Sequence, residues 1–266
     1  MSTPVFQRQK DLKFAKQEVE IGDITVVSSN TILLSNKSNQ KVQMFDSMAG
    51  RVVSEVTLQG CPRGICLTKS DQAAVVVQGR KVQIVDVQRS TLTTGTVVVV
   101  KQEPRAITTR NNTSFVVSYN NSPWLEVITT DGNVSHQFDK DGTTQHFKYP
   151  EFLTTSNDNY VYVSDWYTDE ITKLDFSLQL LQTFSSPLLS RPHGIISISP
   201  DQLLVCSHSN NRVVLLNTSI GKSSILLDQQ DGIEQPWSLS YCAEQKTLYC
   251  ARNCTESLNM YKFSRM

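Results

Sequence analysis

Five residues able to carry charge or to stack follow five prolines at a nearly constant interval. Arg63, Arg105, Glu151, His193 and Trp237 come directly after Pro62, Pro104, Pro150, Pro192 and Pro236, which are spaced 42, 46, 42 and 44 residues apart. Two arginines at one level of a repeat read as a fork for a carboxylate or similar anion, because planar guanidinium groups pair with such groups through two bonds at once. Metal chemistry would need carboxylates, Asn or His around an open coordination position. Of the four histidines, His136, His146, His193 and His208, only the last two fall at this level, and Arg63, Arg105 and Arg252 would set cations beside the ion. No nucleophile stands at a recognisable spacing from a base, and no glycine-rich phosphate loop occurs. The residue types point to recognition, with no catalytic residue, metal or cofactor expected.

Residues at one level of a repeat need elements that bring them together. After each proline the chain continues alike: a short apolar strand, a polar turn ("KSDQ", "RNNT", "SNDN", "SPDQ"), a second apolar strand, a tip and a third strand. Typical second and third strands with their tip are "AVVVQGRKVQIVD", "VYVSDWYTDEITKLD" and "LLVCSHSNNRVVLLN". A further turn leads to a fourth strand such as "SSILLD". Stepping back from Pro62 reaches a sixth, degenerate copy, "IGDITVV", anchored on Gly22. Six units of four short strands, without helical periodicity, predict an all-β, six-bladed propeller of antiparallel blades.

The last unit supplies three strands before Met266. The alternating segment "LKFAKQEVEI", residues 12–21, is expected to add the outermost strand of that blade and so to remove an open seam in the ring. The chain then reads as one domain over residues 6–266. Its blades are expected at roughly 22–60, 61–102, 103–148, 149–190, 191–234 and 235–266, the last completed by residues 12–21.

The 266 residues carry 25 Lys and Arg against 25 Asp and Glu, so no global charge favours nucleic acid or an anionic membrane surface. No run approaches the roughly 20 apolar residues of a membrane helix, and no membrane partner is expected. The N-terminus lacks the apolar core of a signal peptide, and six irregularly spaced cysteines read as reduced thiols, both of which suggest the cytoplasm.

In an antiparallel meander whose first strands line the channel, the start of the first strand, the end of the second and the tip after it share one face. The expected residues after the anchors are Asp23, Arg63, Arg105, Glu151, His193 and Trp237. Those ending the second strands are Asn36, Gln78, Tyr119, Asp165, Ser207 and Arg252, with Trp166, Tyr167 and His208 on tips. Blades one to three bring mostly cations; blade four brings Glu151, Asp165, Asp169 and Glu170. The candidate partner-binding set is Arg63, Arg105, Tyr119, Asp165, Trp166, Tyr167, His193, His208, Trp237 and Arg252. Asp165 has a competing role as an acceptor for backbone amides, and Trp237 as a wedge between blades. Replacing Arg63 and Arg105 is expected to abolish binding at little cost in stability.

The unit, best formed in "YPEFLTTSNDNYVYVSDWYTDEITKLD" and "RPHGIISISPDQLLVCSHSNNRVVLLN", resembles the NHL repeat over roughly residues 6–266. Six such repeats closed by an N-terminal strand resemble the C-terminal domain of the TRIM-NHL (tripartite motif) ubiquitin ligases. Blades one, two and six depart from the pattern: Gly22 replaces the proline region, "VVVQGRK" shortens a tip, and Arg252 stands where Asp165 does. The resemblance implies a protein or peptide partner, a ubiquitination substrate delivered to a RING elsewhere in a longer chain, and oligomerisation of that parent through a coiled coil not found in this sequence. It also implies an alternative, single-stranded RNA, which some of these propellers bind with the same face. Such binding would need stacking platforms beside a basic track, here interrupted by Glu151 and Asp165. Six-bladed propellers also include metal-dependent lactonases and lyases, the least favoured reading.

Overall fold

A computed structural model describes residues 5–13, 19–120, 122–138, 146–252 and 257–264. Blade one is formed by β2 (Ile21–Ser28), β3 (Thr31–Asn36), β4 (Lys41–Asp46) and β5 (Arg51–Thr57), after an N-terminal strand β1 (Val5–Lys13). Blade two contains β6 (Pro62–Lys69), β7 (Gln72–Val77), β8 (Lys81–Gln88) and β9 (Thr91–Val99), and blade three β10 (Pro104–Asn111), β11 (Ser114–Tyr119), β12 (Leu125–Thr129) and β13 (Val134–Phe138). Blade four contains β14 (Pro150–Thr155), β15 (Tyr160–Asp165), β16 (Glu170–Asp175) and β17 (Leu180–Ser185). Blade five contains β18 (Pro192–Ser199), β19 (Gln202–Ser207), β20 (Arg212–Asn217) and β21 (Lys222–Leu227); blade six has β22 (Pro236–Cys242), β23 (Thr247–Arg252) and β24 (Ser257–Ser264). The six sheets are antiparallel meanders of four strands each.

The ring is visible in the contacts of the first strands. β2, β6, β10, β14, β18 and β22 each touch the next in turn, and β22 returns to β2, so these six line the channel. Six apolar clusters fill the wedges between neighbouring blades. One, for example, joins Leu33, Met44 and Leu58 of blade one to Ile65, Val75 and Val85 of blade two. The equivalent cluster between blades five and six includes Leu204, Val213, Leu239 and Leu248. Each fully buried aliphatic side chain contributes roughly 1.5–3 kcal/mol, and the second strands, apolar on both faces, are the main suppliers.

Closure follows the expected principle with a different strand. β1 pairs antiparallel with β24, Val5 opposite Ser264 and Lys13 opposite Ser257, and completes the last blade. Of the expected strand 12–21, Leu12 and Lys13 belong to β1, residues 14–18 lie outside the described residues, and Ile21 opens β2. The cause is that "VFQRQKDLK" buries only Phe6 and Leu12 among its described side chains, a faint alternation. The clearer pattern around Val19 and Ile21 belongs to the entry into blade one, where both are buried.

Strand pairing also corrects two assignments by one residue. Ile21 lies opposite Asn36 as Pro62 lies opposite Val77 and Pro150 opposite Asp165. Gly22, not Asp23, therefore stands at the level of Arg63, and Val77, not Gln78, ends the second strand of blade two. Among the described residues Cys61, Cys66, Cys206, Cys242 and Cys250 are free thiols.

Candidate functional site: a cavity at the channel mouth

Close backbone approach between innermost strands sets the scale of the site. A Cβ on Gly194 would lie 2.7 Å from Cα of Ser238 and 2.8 Å from the carbonyl oxygen of Trp237, so only glycine lets β18 approach β22 this closely. The approach stacks the imidazole of His193 on the indole of Trp237, with centroids 4.3 Å apart and planes at 31°. Ser164 Oγ holds the same segment from blade four by donating to the His193 carbonyl at 2.7 Å. Trp237 is itself anchored, its Nε1 donating to the Gly22 carbonyl at 2.9 Å. It is a wedge between blades that also presents an edge to the mouth.

Beside this stack, Arg105 Nε donates to Glu151 Oε2 at 2.9 Å, and a second contact joins Nη2 to Oε1. Glu151 is only 6% exposed, so the pair is a desolvated ion pair spanning blades three and four. Burial and the neighbouring Arg63 push the Arg105 guanidinium down to about 10. Arg63 thus does converge with Arg105, but the expected fork is closed: Arg105 is taken by Glu151, and Arg63 Nη1 donates to Asn120 Oδ1 at 2.8 Å.

The cavity opens above these groups, about 410 Å3 in volume. Tyr149 and Trp166 form one wall, His193, His208 and Trp237 another, and Arg191 stands at its rim. His193 and His208 meet edge to face at 4.9 Å. Burial, reinforced by His208, Arg105 and Arg191, pushes His193 down to about 3, and burial with Arg191 also lowers His208, so both rings are neutral near pH 7. His193 Nδ1 lies 3.7 Å from Glu151 Oε1, beyond a hydrogen bond. That atom and both ring nitrogens of His208 are buried with no hydrogen-bond partner among the described residues.

The tip after β15 explains its two aromatics. Asp165 is 1% exposed, its Oδ1 accepting from the amides of Tyr167 and Thr168 at 3.0 and 3.3 Å, its Oδ2 from those of Lys148 and Tyr149 at 2.6 and 3.0 Å. The expectation that Asp165 contacts a partner is corrected: a carboxylate holding four amides under cover is a clamp for the tip. The clamp sets Tyr149 against Trp166, with centroids 5.1 Å apart, and leaves Tyr167 54% exposed with the Lys148 ammonium 4.2 Å from its ring centroid. Arg191 lies over Trp166, 5.8 Å from its centroid.

Two further candidates are engaged by acidic neighbours. Tyr119 is 2% exposed and its hydroxyl donates to buried Glu126, an acidic neighbour that with burial raises the phenol. It still contributes to the cavity lining. Arg252 pairs with Glu234 and donates through Nε to the Glu234 carbonyl at 3.2 Å, and it is not part of the cavity lining. Tyr149 and Arg191 were missed from the sequence. Both immediately precede an anchor proline, a position as regular as the one after it, and "YPEF" and "RPHG" contain the signal.

Asp23, one step deeper than expected, faces the channel lining. Its Oδ1 accepts from Ser238 Oγ of blade six at 2.5 Å and from the Ile24 amide, and its Oδ2 accepts from the Ile65 amide of blade two at 3.0 Å. Burial raises this carboxyl to about 6 in spite of those bonds. No group of three or more His, Cys, Asp or Glu with the disposition of a metal site occurs among the described residues.

No protein-family model matches the chain, and no curated protein matches it. Solved structures do. A catalytically inactive variant of virginiamycin B lyase from Staphylococcus aureus, in complex with quinupristin, superposes with a TM-score of 0.68 at 16% identity, covering 97% of this chain and 99% of that one. The selenomethionine-substituted lyase gives 0.69 at 14% identity with the same coverage. The Cps50 (Swd1) β-propeller domain of Myceliophteria thermophila gives 0.65 at 14% identity, covering 92% of this chain and 84% of that one. At these identities the likeness establishes the propeller fold alone.

Proposed function

We propose that this propeller is a recognition module that takes a peptide segment of a protein partner into the cavity at the channel mouth. The observation that carries this reading is the cavity itself: about 410 Å3, walled by Tyr149, Trp166 and Trp237 and rimmed by Arg191, the residue types that dominate interface energetics. The carboxylates around it are committed to holding the site's shape, with Glu151 on Arg105 and Asp165 on four amides. Such a frame positions a ligand and leaves few groups free to transform it. On the NHL resemblance of blades four and five, the finer reading is the substrate-recognition domain of a larger TRIM-type ubiquitin ligase.

Two other readings have less support. An RNA reading draws on the aromatic cluster of Tyr149, Trp166 and Tyr167, but the first two rings already stack on each other and Lys148 caps the third. A lyase reading draws on the similarity to virginiamycin B lyase, with His193 and Glu151 at the mouth as the groups that chemistry would recruit; Glu151 is engaged by Arg105.

The test is selection of phage-displayed random peptides on the immobilised chain. Peptides that bind the wild type and lose at least tenfold in affinity to Trp166→Ala, while keeping affinity for Ile220→Ser at an exposed turn of blade five, support the reading. Peptides that bind both variants equally, or an absence of any enrichment, would overturn it.

A further inference from the structure

We infer that the cavity recognises a carboxylate carried by its peptide ligand, seated among Arg191, His193 and His208. This rests on the recognition reading above and deepens it by naming the chemistry.

The first ground is an excess of unsatisfied donors and cations at one end of the cavity. Arg191 makes no ion pair among the described residues, and its guanidinium is held over the face of Trp166 at the rim. Lys37, by contrast, is paired with Glu20, Arg105 with Glu151, and Arg63 is bonded to Asn120. Arg191 is therefore the cavity's uncommitted guanidinium, and a guanidinium offers a carboxylate two parallel hydrogen bonds.

The second ground is the histidine pair. His193 is 7% exposed, yet its Nδ1 is unpartnered, and so are both ring nitrogens of His208. Buried polar atoms left unpaired cost roughly 1–3 kcal/mol each, so a ligand that satisfies them gains more than an exposed contact would give. A neutral imidazole has one N–H to offer, and the two rings meet edge to face in the lining that Arg191 shares, while Glu151, the carboxylate nearest His193 Nδ1, is already neutralised by Arg105. A carboxylate, which only accepts, is the complementary group.

The third ground excludes the opposite charge. Aromatic walls bind cations through their ring faces, but here the chain's own cations occupy them. Lys37 and Arg105 lie 5.3 and 5.8 Å from the Trp237 centroid, Arg191 lies over Trp166 and Lys148 over Tyr167. A lysine or methylated lysine of a partner would meet these charges before it met a ring.

The fourth ground favours a peptide over the phosphates of a nucleic acid. A phosphodiester chain carries one charge per nucleotide and needs a track of cations. The tip beside Arg191 is acidic, with Asp169 accepting from the Arg191 amide and Glu170 opposite Asp165, so no continuous track of cations runs past the cavity. One anion beside an apolar body fits this pattern.

The experiment measures biosensor binding of wild type, Arg191→Gln, His208→Gln, Trp166→Ala and Ile220→Ser to biotinylated random heptapeptide pools. Three pools are amidated at the C-terminus and fixed at the centre as Glu, Gln or Lys. A fourth has central Gln and a free C-terminal carboxylate, and a ten-nucleotide oligouridylate is the nucleic-acid arm. The inference expects the central-Glu or the free-carboxylate pool to bind at least tenfold tighter than the amidated Gln pool, the stronger of the two showing whether a side chain or a terminus supplies the anion. It expects that advantage to vanish in Arg191→Gln, to shrink in His208→Gln and to persist in Ile220→Ser. Equal binding of acid and amide pools that still falls in Trp166→Ala would overturn the carboxylate and leave peptide recognition standing. Preference for the Lys pool, or Arg191-dependent binding of oligouridylate alone, would overturn the assignment of a peptide anion. No binding of any pool by wild type would overturn the recognition reading together with the inference.

Discussion

Arg105 in blade three donates through Nε to Oε2 of Glu151 in blade four at 2.9 Å, and this bond turns a residue expected to meet a partner into a strut between blades. Removing one partner of a desolvated pair strands the other charge, at a cost of roughly 3–5 kcal/mol. Arg105→Gln and Glu151→Gln should each lower unfolding free energy in urea by about 3 kcal/mol, and Arg105→Met combined with Glu151→Leu should recover most of it. Single variants as stable as wild type would show that the pair is not desolvated in solution.

Asp165 and Tyr167 should separate stability from binding. Asp165→Ala frees four amides and should lower stability by roughly 2–3 kcal/mol, with faster hydrogen exchange at Lys148, Tyr149, Tyr167 and Thr168. Tyr167→Ala, at an exposed site, should leave the Tm within about 1 °C and weaken peptide binding. A large Tm loss in Tyr167→Ala would contradict the division of roles.

His193 makes stability depend on pH in a direction its environment decides. Its folded pKa is about 3 against about 6.5 unfolded, so the unfolded chain binds the extra proton between those values. Stability is complete above about 6.5 and is lost as pH falls toward 3. Thermal unfolding of wild type and His193→Gln from pH 7.5 to 4 should therefore show the wild type losing more; parallel curves would contradict a neutral, buried ring.

Asp23 acts with the opposite sign. Its folded pKa is about 6 against about 3.9 unfolded, so the folded chain holds the extra proton between them, and the stability this gives fades as pH rises through 6. Asp23→Ala removes acceptors for Ser238 and the Ile24 and Ile65 amides and should be destabilising throughout. Its deficit should shrink by roughly 2 kcal/mol between pH 4.5 and 7.5, each pKa unit amounting to about 1.4 kcal/mol. A deficit that grows with pH would contradict the burial of this carboxyl.

The anchor prolines recur because each opens an innermost strand, so the blades and the mouth level of Arg63, Arg105, Glu151, His193 and Trp237 were legible. What each side chain does there was not, because Arg105 meets Glu151 across 46 positions of chain, a partnership decided by side-chain reach across the mouth. Tyr149 and Arg191 were not legible as site residues because they stand in the turn before the anchor proline, outside the strand pattern, and that turn also faces the cavity. Blade one slipped by a residue because Ile21 stands in the place of a proline, and conspicuous Gly22 marked the wrong level. The closing strand was misplaced because a chain edge that pairs with one neighbour needs few apolar residues, here Phe6 and Leu12.

The most direct measurement is hydrogen exchange of the chain with and without a selected peptide. The account predicts new protection in the segments around 148–151, 165–170, 190–194 and 207–209, with the outermost strands β9, β17 and β21 unchanged. Protection confined to those outer strands, with the mouth segments exchanging as in the free chain, would contradict it.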